Sequence, residues 1–154
     1  SLSNPYTGIL SIFSTRIKNN NNINVFEDGE ETRDFVYIDD VVAATILGIE
    51  KEEANFKVFN VGSGKRTSVL EVAKTLKNNY RSEISINISG NFRLGDIRDN
   101  YADMQKIKET LGFTPRFSFE EGISNFTNWV ENQDVKQDNF QKSIDEMKDR
   151  GLLK

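Results

Sequence analysis

The order of apolar and polar positions predicts an α/β chain of short strands and amphipathic helices. Apolar residues recur at helical spacing from about residue 8 to residue 18, and the polar Asn run 19–22 ends that helix. The segment 23–26, Ile-Asn-Val-Phe, alternates as a strand does, and the acidic turn 27–30 follows it. The first elements are therefore expected to be a helix, a turn and a strand.

A second strand is expected near Arg33, where residues 35–38 supply apolar positions. Asp39 or Asp40 can cap the helix that follows, because a short acidic side chain accepts hydrogen bonds from the free N–H groups at a helix start. The apolar positions of that helix continue to Ile49. The pattern is a strand, a cap and a helix.

A βα unit is predicted next. The short apolar run 58–61 is typical of a strand and leads into the Gly-Ser-Gly turn 62–64. Ser68 and Glu71 have the spacing of a capping box, and the helix that they open continues through Leu76.

The remaining sequence predicts one more strand and three helices. The Ile residues of 84–88 alternate as in a strand, and the charged loop 93–99 leads to a short helix that Gly112 ends. A second capping box at 118–121 opens the next helix. Beyond a polar hinge at 131–138, a last amphipathic helix is expected to dock on the core or on a neighbouring subunit.

Composition excludes several classes of function. The 154 residues suit one domain, and 36% hydrophobic residues suffice for a core. A net charge of -4 gives no field that would attract nucleic acid or an anionic membrane. The absence of Cys and His excludes disulfides, thiol catalysis and most zinc sites, and we expect no bound metal. Without a membrane span or a secretion signal in view, we expect a cytoplasmic protein.

Two charged segments are candidates for a binding function. Residues 33–40 place an Arg at the entrance to a strand, and residues 93–98 place Arg-Leu-Gly-Asp-Ile-Arg between a strand and a helix. A guanidinium can bind a phosphate through two parallel hydrogen bonds, and a carboxylate can accept hydrogen bonds from sugar hydroxyls. Such groups suit a nucleoside diphosphate. The alternatives are an ion pair with a helix cap for the first segment and a solvated loop for the second.

Both segments occur in order around FNVGSG, and together they resemble the C-terminal half of the extended short-chain dehydrogenase/reductase family. These are the NAD-dependent nucleotide-sugar epimerases and dehydratases typified by UDP-glucose 4-epimerase. The matching stretches, which cover nearly the whole chain, are NPYTGILSIFSTRI, INVFEDGEETRDFVYIDDVV, FNVGSG, RLGDIRDNYAD, LGFTPRFSFEEGI and the NWV helix. The resemblance implies an α/β fold class, the substrate-binding part of an extended Rossmann-type enzyme with mixed short strands and helices. It also implies a substrate-binding domain at 1–130 and a helical tail at 131–154.

The resemblance assigns five substrate-binding residues. Arg33 and Arg93 match the two family arginines that contact the diphosphate. Asp96 matches the acidic residue that holds ribose hydroxyls. Asn24 and Phe26 match the strand segment that lines the nucleotide base.

Other positions in the matching stretches are expected to have lesser roles. Tyr101 is expected to be an aromatic core contact, and Asp103 is expected to cap a helix. The segment 4–6 precedes the first helix, where the family often has substrate-facing residues. The acidic turn 27–31 is expected to be a solvated loop rather than a metal site, because it has no His partner and no calcium-loop spacing.

Two features of the family are missing from this sequence. There is no Gly-rich dinucleotide fingerprint near the start, and no Tyr is followed four positions later by Lys. We therefore expect a truncated chain or proteolytic fragment that is inactive by itself, with no catalytic or cofactor-binding residues and no bound cofactor. The full-length enzyme would bind NAD and an NDP-sugar, with no nucleic acid or membrane partner; a homodimer is left open.

Other functions remain open from the sequence. On the same fold, a 4,6-dehydratase, a decarboxylase or a reductase is the nearest alternative to a 4-epimerase. A non-catalytic protein-interaction module built on the amphipathic helices belongs to a different class. A phosphate-loop nucleotidase using Lys65 is disfavoured, because Phe59 stands at the position of the first glycine and Arg66 follows the lysine.

Overall fold

The structure, a computed structural model, describes residues 8–134 and 137–154. The described residues contain six α-helices and four short strands with the following bounds. The helices are α1 (Ile9–Lys18), α2 (Ile38–Glu50), α3 (Val69–Asn79), α4 (Gln105–Leu111), α5 (Phe119–Glu131) and α6 (Phe140–Asp149). The strands are β1 (Ile23–Val25), β2 (Thr32–Arg33), β3 (Thr67–Ser68) and β4 (Ile86–Ile88), and a 3-10 turn follows α2 at Glu52–Ala54.

The chain divides into two compact units. The first comprises the described parts of Ser1–Glu31, Ser68–Arg98 and Ile123–Lys154, and the second comprises Thr32–Thr67 and Asp99–Gly122. In the first unit β1 and β4 pair in parallel, with Ile23 opposite Ile86 and Val25 opposite Ile88. Helices α1 and α3 pack against each other and against β1. Ile23 and Val25 are fully buried, so β1 forms the centre of this core.

The second unit has its own core around α4. Its buried members, from α2, the 3-10 turn and the region of α4, are Ala44, Ala54, Ile107, Leu111 and Phe113. Phe59 and Val61 pack against this cluster from the segment before the Gly-Ser-Gly turn. Aromatic contacts extend the packing, since the ring of Tyr37 lies 4.6 Å from that of Phe117.

The helix boundaries confirm the local sequence signals. Ser68 Oγ accepts a hydrogen bond from Glu71 N at the start of α3. At the start of α5 the capping box is reciprocal: Glu121 N donates to Ser118 Oγ at 3.1 Å, and Ser118 N donates to Glu121 Oε2 at 2.8 Å. Gly112 ends α4 with a left-handed φ of 70°, which a glycine adopts at little cost.

The strand expected near Arg33 is confirmed but is shorter than predicted, and the strand expected at 58–61 does not form. Only Thr32–Arg33 of the strand expected near Arg33 is extended and paired, and Ile38 already begins α2. The run 58–61 is not paired as a strand, although Phe59 and Val61 point to the core and Val58 is exposed. Within the described residues no neighbouring strand lies beside it, and alternation alone cannot supply the hydrogen-bonding partner that a strand requires.

The predicted cap of α2 is also wrong. Tyr37 occupies the N-cap position, and no side chain caps this helix. Asp40 is instead buried within the second unit, where it accepts hydrogen bonds from Arg116 N and Phe117 N at 2.9 and 3.1 Å. This carboxylate therefore fixes the segment before α5, because a buried carboxylate must find donors to offset its lost hydration.

One face of α2 exposes apolar side chains. Ile38, Val42 and Ile49 have exposed fractions of 62%, 49% and 80% and lie at helical spacing. The fully exposed Phe56 and the exposed Val58 follow on the same unit. The outer side of α2 is thus more apolar than a solvated helix face. Among the described residues, no helix combines the length and apolarity that crossing a membrane would require.

The last predicted helix is confirmed as α6, which docks through the buried Ser143 and Ile144. The polar hinge predicted at 131–138 includes residues 135–136, which lie outside the described residues. After α6 the chain turns at Gly151 and pairs in antiparallel fashion with the loop that follows β4.

Candidate functional site

The carboxyl ends of β1 and β4 bring sequence-predicted residues together in the first unit. Asn24 lies on β1, where its Oδ1 accepts a hydrogen bond from Asn87 Nδ2 at 3.4 Å. Phe26 follows the last residue of β1, and Arg93 lies in the loop after β4. Because the two strands are parallel, the chain leaves both at the same edge, which is where ligands bind in open α/β sheets.

Arg93 lies over the ring of Phe26. The guanidinium carbon is 5.2 Å from the ring centroid, within the range of a cation–π interaction. The backbone joins the two segments as well, since Ser89 N donates to Val25 O at 2.9 Å and Glu27 N donates to Asn91 O at 2.8 Å. An arginine that interacts with a ring in this way can still donate hydrogen bonds from its N–H groups to an anion.

Asp96 lies on the same tight turn as Arg93. Asp96 N donates to Arg93 O at 3.2 Å, and Gly95 between them has a φ of 80°, a conformation that favours glycine. Asp96 Oδ1 accepts a hydrogen bond from Ile97 N at 2.9 Å. The turn therefore keeps a carboxylate close to the guanidinium-bearing residue, on an exposed loop.

Arg33, the remaining predicted residue, lies on β2 in the second unit. It is half-buried, and its Nη1 donates a hydrogen bond to Thr32 O at 2.8 Å. Asn24, Phe26, Arg93 and Asp96 thus share the first unit, and Arg33 belongs to the other. The segment 4–6 lies outside the described residues.

An acidic cluster with an arginine partner adjoins this edge of the strands. Carboxylate oxygens of Glu27, Asp28 and Glu31 lie within 4.8 Å of one another. Arg98 donates to Glu27 Oε2 at 3.0 Å and to both oxygens of Asp28 at 2.8 Å. Hydrogen bonding to Arg98 lowers the pKa of Asp28 to about 2. The expectation of a solvated loop is wrong for Glu31, which is only 6% exposed and whose pKa is raised by burial.

The sequence placed Arg98 in the candidate phosphate-binding segment 93–98 and did not predict its bonds to the acidic turn. The signal was available: the acidic turn follows β1 and Arg98 follows β4, so the two meet if those strands pair in parallel. The pairing of β1 with β4 is set by the tertiary structure. The charged segment 93–99 resembles a solvated loop and does not by itself indicate this pairing.

The Gly-Ser-Gly turn is closed by Asp34. Ser63 N and Ser63 Oγ donate to Asp34 Oδ1 at 2.7 and 2.6 Å, and Gly64 N and Ala102 N donate to Oδ2 at 3.0 and 3.1 Å. Burial alone would raise the pKa of Asp34, but these hydrogen bonds outweigh it and hold the pKa below its ordinary value. The N–H groups that a phosphate loop would present to phosphate are therefore already bonded, which argues against that alternative.

The structure tests the roles predicted for Tyr101 and Asp103. The prediction of an aromatic core contact is wrong, since Tyr101 is 46% exposed and lies under the guanidinium of Arg66 at 4.3 Å. Met104, not Asp103, occupies the N-cap position of α4, although Asp103 Oδ1 still accepts a hydrogen bond from Gln105 N, at the first residue of the helix, at 2.9 Å.

A separate cleft of about 240 Å³ lies in the second unit. Its lining residues, from the Gly-Ser-Gly turn and the start of α5, are Ser63, Lys65, Thr67, Pro115, Arg116, Phe117, Ser118, Phe119 and Glu121. This volume is below the ~300–1,000 Å³ typical of small-molecule sites. None of the predicted substrate residues lines it.

Comparison with known proteins gives consistent matches. The family model described as GDP-mannose 4,6 dehydratase matches residues 6–126. The dTDP-L-rhamnose 4-epimerase of Burkholderia thailandensis is 37% identical, over 84% of this chain and 36% of its own length. The UDP-glucose 4-epimerase of Thermotoga maritima, solved with UDP-glucose, is 36% identical with a TM-score of 0.75, over 84% of this chain and 41% of its own.

A third relative was solved with a cofactor. MoeE5 in complex with UDP-glucuronic acid and NAD is 26% identical with a TM-score of 0.74, over 83% of this chain and 42% of its own. The chain thus spans 36–42% of the length of these proteins. Its α/β fold is that of Rossmann-like epimerases. The chain belongs to the nucleotide-sugar epimerase and dehydratase family of the short-chain dehydrogenase/reductase type.

Proposed function

We propose that this chain is the nucleotide-sugar-binding part of an NAD-dependent sugar epimerase of the 4-epimerase type. Residues 1–130 form its substrate-binding domain, and residues 131–154 form a helical tail. The observation that carries the proposal is the contact of Arg93 with Phe26 at the carboxyl ends of the paired strands β1 and β4. The relatives of this chain, which act on nucleotide sugars, support the same function.

Each predicted side chain has a chemical task in this site. Arg93 binds the diphosphate, because its in-plane N–H groups match two phosphate oxygens. Asp96, on the same turn, accepts hydrogen bonds from ribose hydroxyls. Phe26 and Asn24 line the base. For Arg33, in the second unit, a contact with the diphosphate is proposed from the family resemblance alone. Binding of the nucleotide would hold the sugar in position for the chemistry.

The Gly-Ser-Gly turn, the glycine-rich turn among the described residues, does not fit a dinucleotide site. The N–H groups of the turn at Gly62–Gly64 bind Asp34 and cannot also bind a pyrophosphate. We therefore assign NAD, whose chemistry is hydride transfer, to the part of the full-length protein that this chain does not span. The chain alone is expected to be inactive.

The nearest alternative is another reaction on the same fold. The matching family model is described as a 4,6 dehydratase, and a decarboxylase or a reductase would use the same nucleotide contacts. An interaction module is the second class of alternative, and the apolar face of α2 is the observation that favours it. Nucleotide binding separates the two classes, because an interaction module has no need of Arg93.

Calorimetric titration of UDP, dTDP and GDP into the full-length protein tests the proposal. Arg93→Ala is expected to lower the affinity for the tightest-binding of these nucleotides by about tenfold or more, since a hydrogen-bonded charge pair contributes about 1.5–3 kcal/mol. Arg93→Lys should recover only part of this loss, because an ammonium cannot bind two oxygens in the plane of a guanidinium.

Lys74→Ala is the matched control, since it removes one positive charge from the exposed face of α3. It should leave the affinity within about twofold, because a solvated charge that makes no hydrogen bond to the ligand contributes little. An affinity unchanged by Arg93→Ala would contradict the proposal. Equal losses of affinity from Lys74→Ala and Arg93→Ala would mean that the effect of Arg93→Ala is a general effect of net charge and not a contact with the diphosphate.

A further inference from the structure

Residues 152–154, which follow α6, form an isolated antiparallel β-bridge with the loop that carries Arg93, and this segment is named the C-terminal strand. Phe92 N donates to Lys154 O at 2.7 Å, and Lys154 N donates to Phe92 O at 3.0 Å. Leu94 N donates to Leu152 O at 2.9 Å. Arg93 itself is paired opposite Leu153 in antiparallel fashion. Three backbone hydrogen bonds therefore hold the two residues that flank Arg93.

The turn that delivers this strand is specified by the sequence. Gly151 has a φ of 66°, with Gly151 N donating to Lys148 O and Leu152 N donating to Met147 O at 2.9 and 2.8 Å. An added Cβ at Gly151 would meet no atom within 4 Å, so the glycine is needed for its backbone conformation and not for space. Leu153 is 7% exposed and anchors the strand in the first unit.

The other end of this segment is anchored as well. Asp138 accepts hydrogen bonds from Arg16 Nη1 at 3.2 Å and from Asn21 Nδ2 at 2.7 Å. The guanidinium of Arg16 also lies 4.5 Å from the ring centroid of Phe140, the first residue of α6. Both side chains of the Arg16–Asp138 ion pair are mostly buried, at 14% and 11% exposed. Residues 137–154 are thus fixed at both ends against the first unit.

This segment lies beyond residues 6–126, the part that the family model matches. Its backbone hydrogen bonds to the loop are made by Phe92 and Leu94. The guanidinium of Arg93 is supported separately by the ring of Phe26. An exposed loop arginine held at its backbone and at its side chain has fewer conformations to lose when an anion binds.

We propose that the C-terminal strand Leu152–Lys154 is a positioning element for Arg93, which it holds in the conformation that binds the diphosphate. This inference rests on the proposed function of Arg93. The strand does not touch the ligand; it acts by ordering the Arg93 backbone before the ligand arrives. Without the strand, Arg93 is still present, but its backbone must be ordered when the ligand binds, and this entropic cost lowers the affinity.

A double-mutant cycle in the full-length protein tests this role. Deletion of residues 152–154 is expected to weaken binding of the tightest-binding nucleotide among UDP, dTDP and GDP by about fivefold or more, the order of the cost of fixing the backbone of one loop residue. In the Arg93→Ala background the same deletion should change affinity by less than about twofold, because the group that the strand positions is gone. A merely structural role would weaken both backgrounds equally.

Leu152→Ala is the control, since this side chain is 46% exposed and its backbone carbonyl is retained. If the deleted protein does not fold by circular dichroism, Leu153→Ala replaces it, because it removes the buried anchor and keeps the chain length. Equal losses in both backgrounds overturn the inference. No loss on deletion while Arg93→Ala still weakens binding also overturns it and leaves the proposed function standing. An Arg93→Ala protein with unchanged affinity overturns both.

Discussion

Asp34 illustrates how one carboxylate can order a whole turn. It accepts four hydrogen bonds, from Ser63 N, Ser63 Oγ, Gly64 N and Ala102 N. The motif at 33–40 predicted a role for Arg33, but the structure shows more hydrogen bonds at the neighbouring Asp34. Its charge strengthens these bonds, and three of the four donors are partly buried and would otherwise lack an acceptor.

Asp34→Asn is expected to lower the free energy of unfolding at pH 7 by about 1.5–3 kcal/mol, because an amide accepts these bonds less well. The pKa of Asp34 is lowered in the folded state, so its contribution is present above the unfolded value of about 3.9 and lost as pH falls through the folded pKa. Urea unfolding at pH 7, 4 and 3 should therefore show a weaker loss of stability in acid for the variant. Asp134→Asn, at an exposed position, should keep the wild-type acid response.

Gly62 makes a second residue-scale prediction. A Cβ at this buried position would lie 2.6 Å from Ala102 Cβ and would also collide with Asp34 Oδ2. Gly62→Ala should therefore destabilise by about 1–3 kcal/mol, as overpacking does. Gly48→Ala is the matched control: this exposed glycine in α2 has no atom near an added Cβ, and alanine there should stabilise by about 0.5–1 kcal/mol. Thermal melts would contradict the account if both variants shifted Tm in the same direction.

At the scale of elements, α5 depends on its capping box. The hydrogen bonds between Ser118 and Glu121 satisfy N–H groups that the first turn cannot bond internally, and they lower the pKa of Glu121. The capping box can be predicted from the sequence alone, because its two residues are three positions apart and need no contact with a distant segment.

Ser118→Ala should lower the free energy of unfolding by about 1 kcal/mol, the typical cost of losing an N-cap. Ser124→Ala is the control, because Ser124 is exposed inside the same helix and alanine is the better helix former. Urea unfolding should show opposite signs for the two variants. A loss for Ser124→Ala as large as that for Ser118→Ala would argue against the cap as the cause.

For the molecule as a whole, the apolar face of α2 is the main departure from an ordinary soluble surface. Ile49 is 80% exposed and Phe56 is fully exposed, so neither contributes a buried contact in this chain. Contiguous apolar surface of this kind favours association. The chain spans only 36–42% of the length of its relatives, so its surface is not directly comparable with theirs.

Ile49→Lys is expected to reduce concentration-dependent self-association of this chain while leaving its stability nearly unchanged. The physical reason is that a charge replaces an exposed apolar group and no buried area is lost. Sedimentation velocity over a range of concentrations measures the effect. Asn128→Lys adds the same charge on the exposed surface of α5 and should reduce association less. Equal effects from both variants would attribute the change to net charge alone.

The sequence by itself determined the local features of this protein. Capping boxes, the glycine end of α4, the buried strand β1 and the amphipathic helices all follow from residues within a few positions of one another. The family followed from several motifs in order. These signals are local, because all the residues that make up each of them lie within one short segment of the chain.

Tertiary structure decided the rest, because the rest consists of pairings between distant segments. The run 58–61 has the alternation of a strand and no partner, so it did not become one. Arg98 bonds the acidic turn because β1 and β4 run in parallel, and residues 152–154 pair with the Arg93 loop because α6 and the turn at Gly151 bring them to it. Hydrogen-bond donors and acceptors are nearly universal along a chain, so sequence can supply the groups but cannot choose which of them meet.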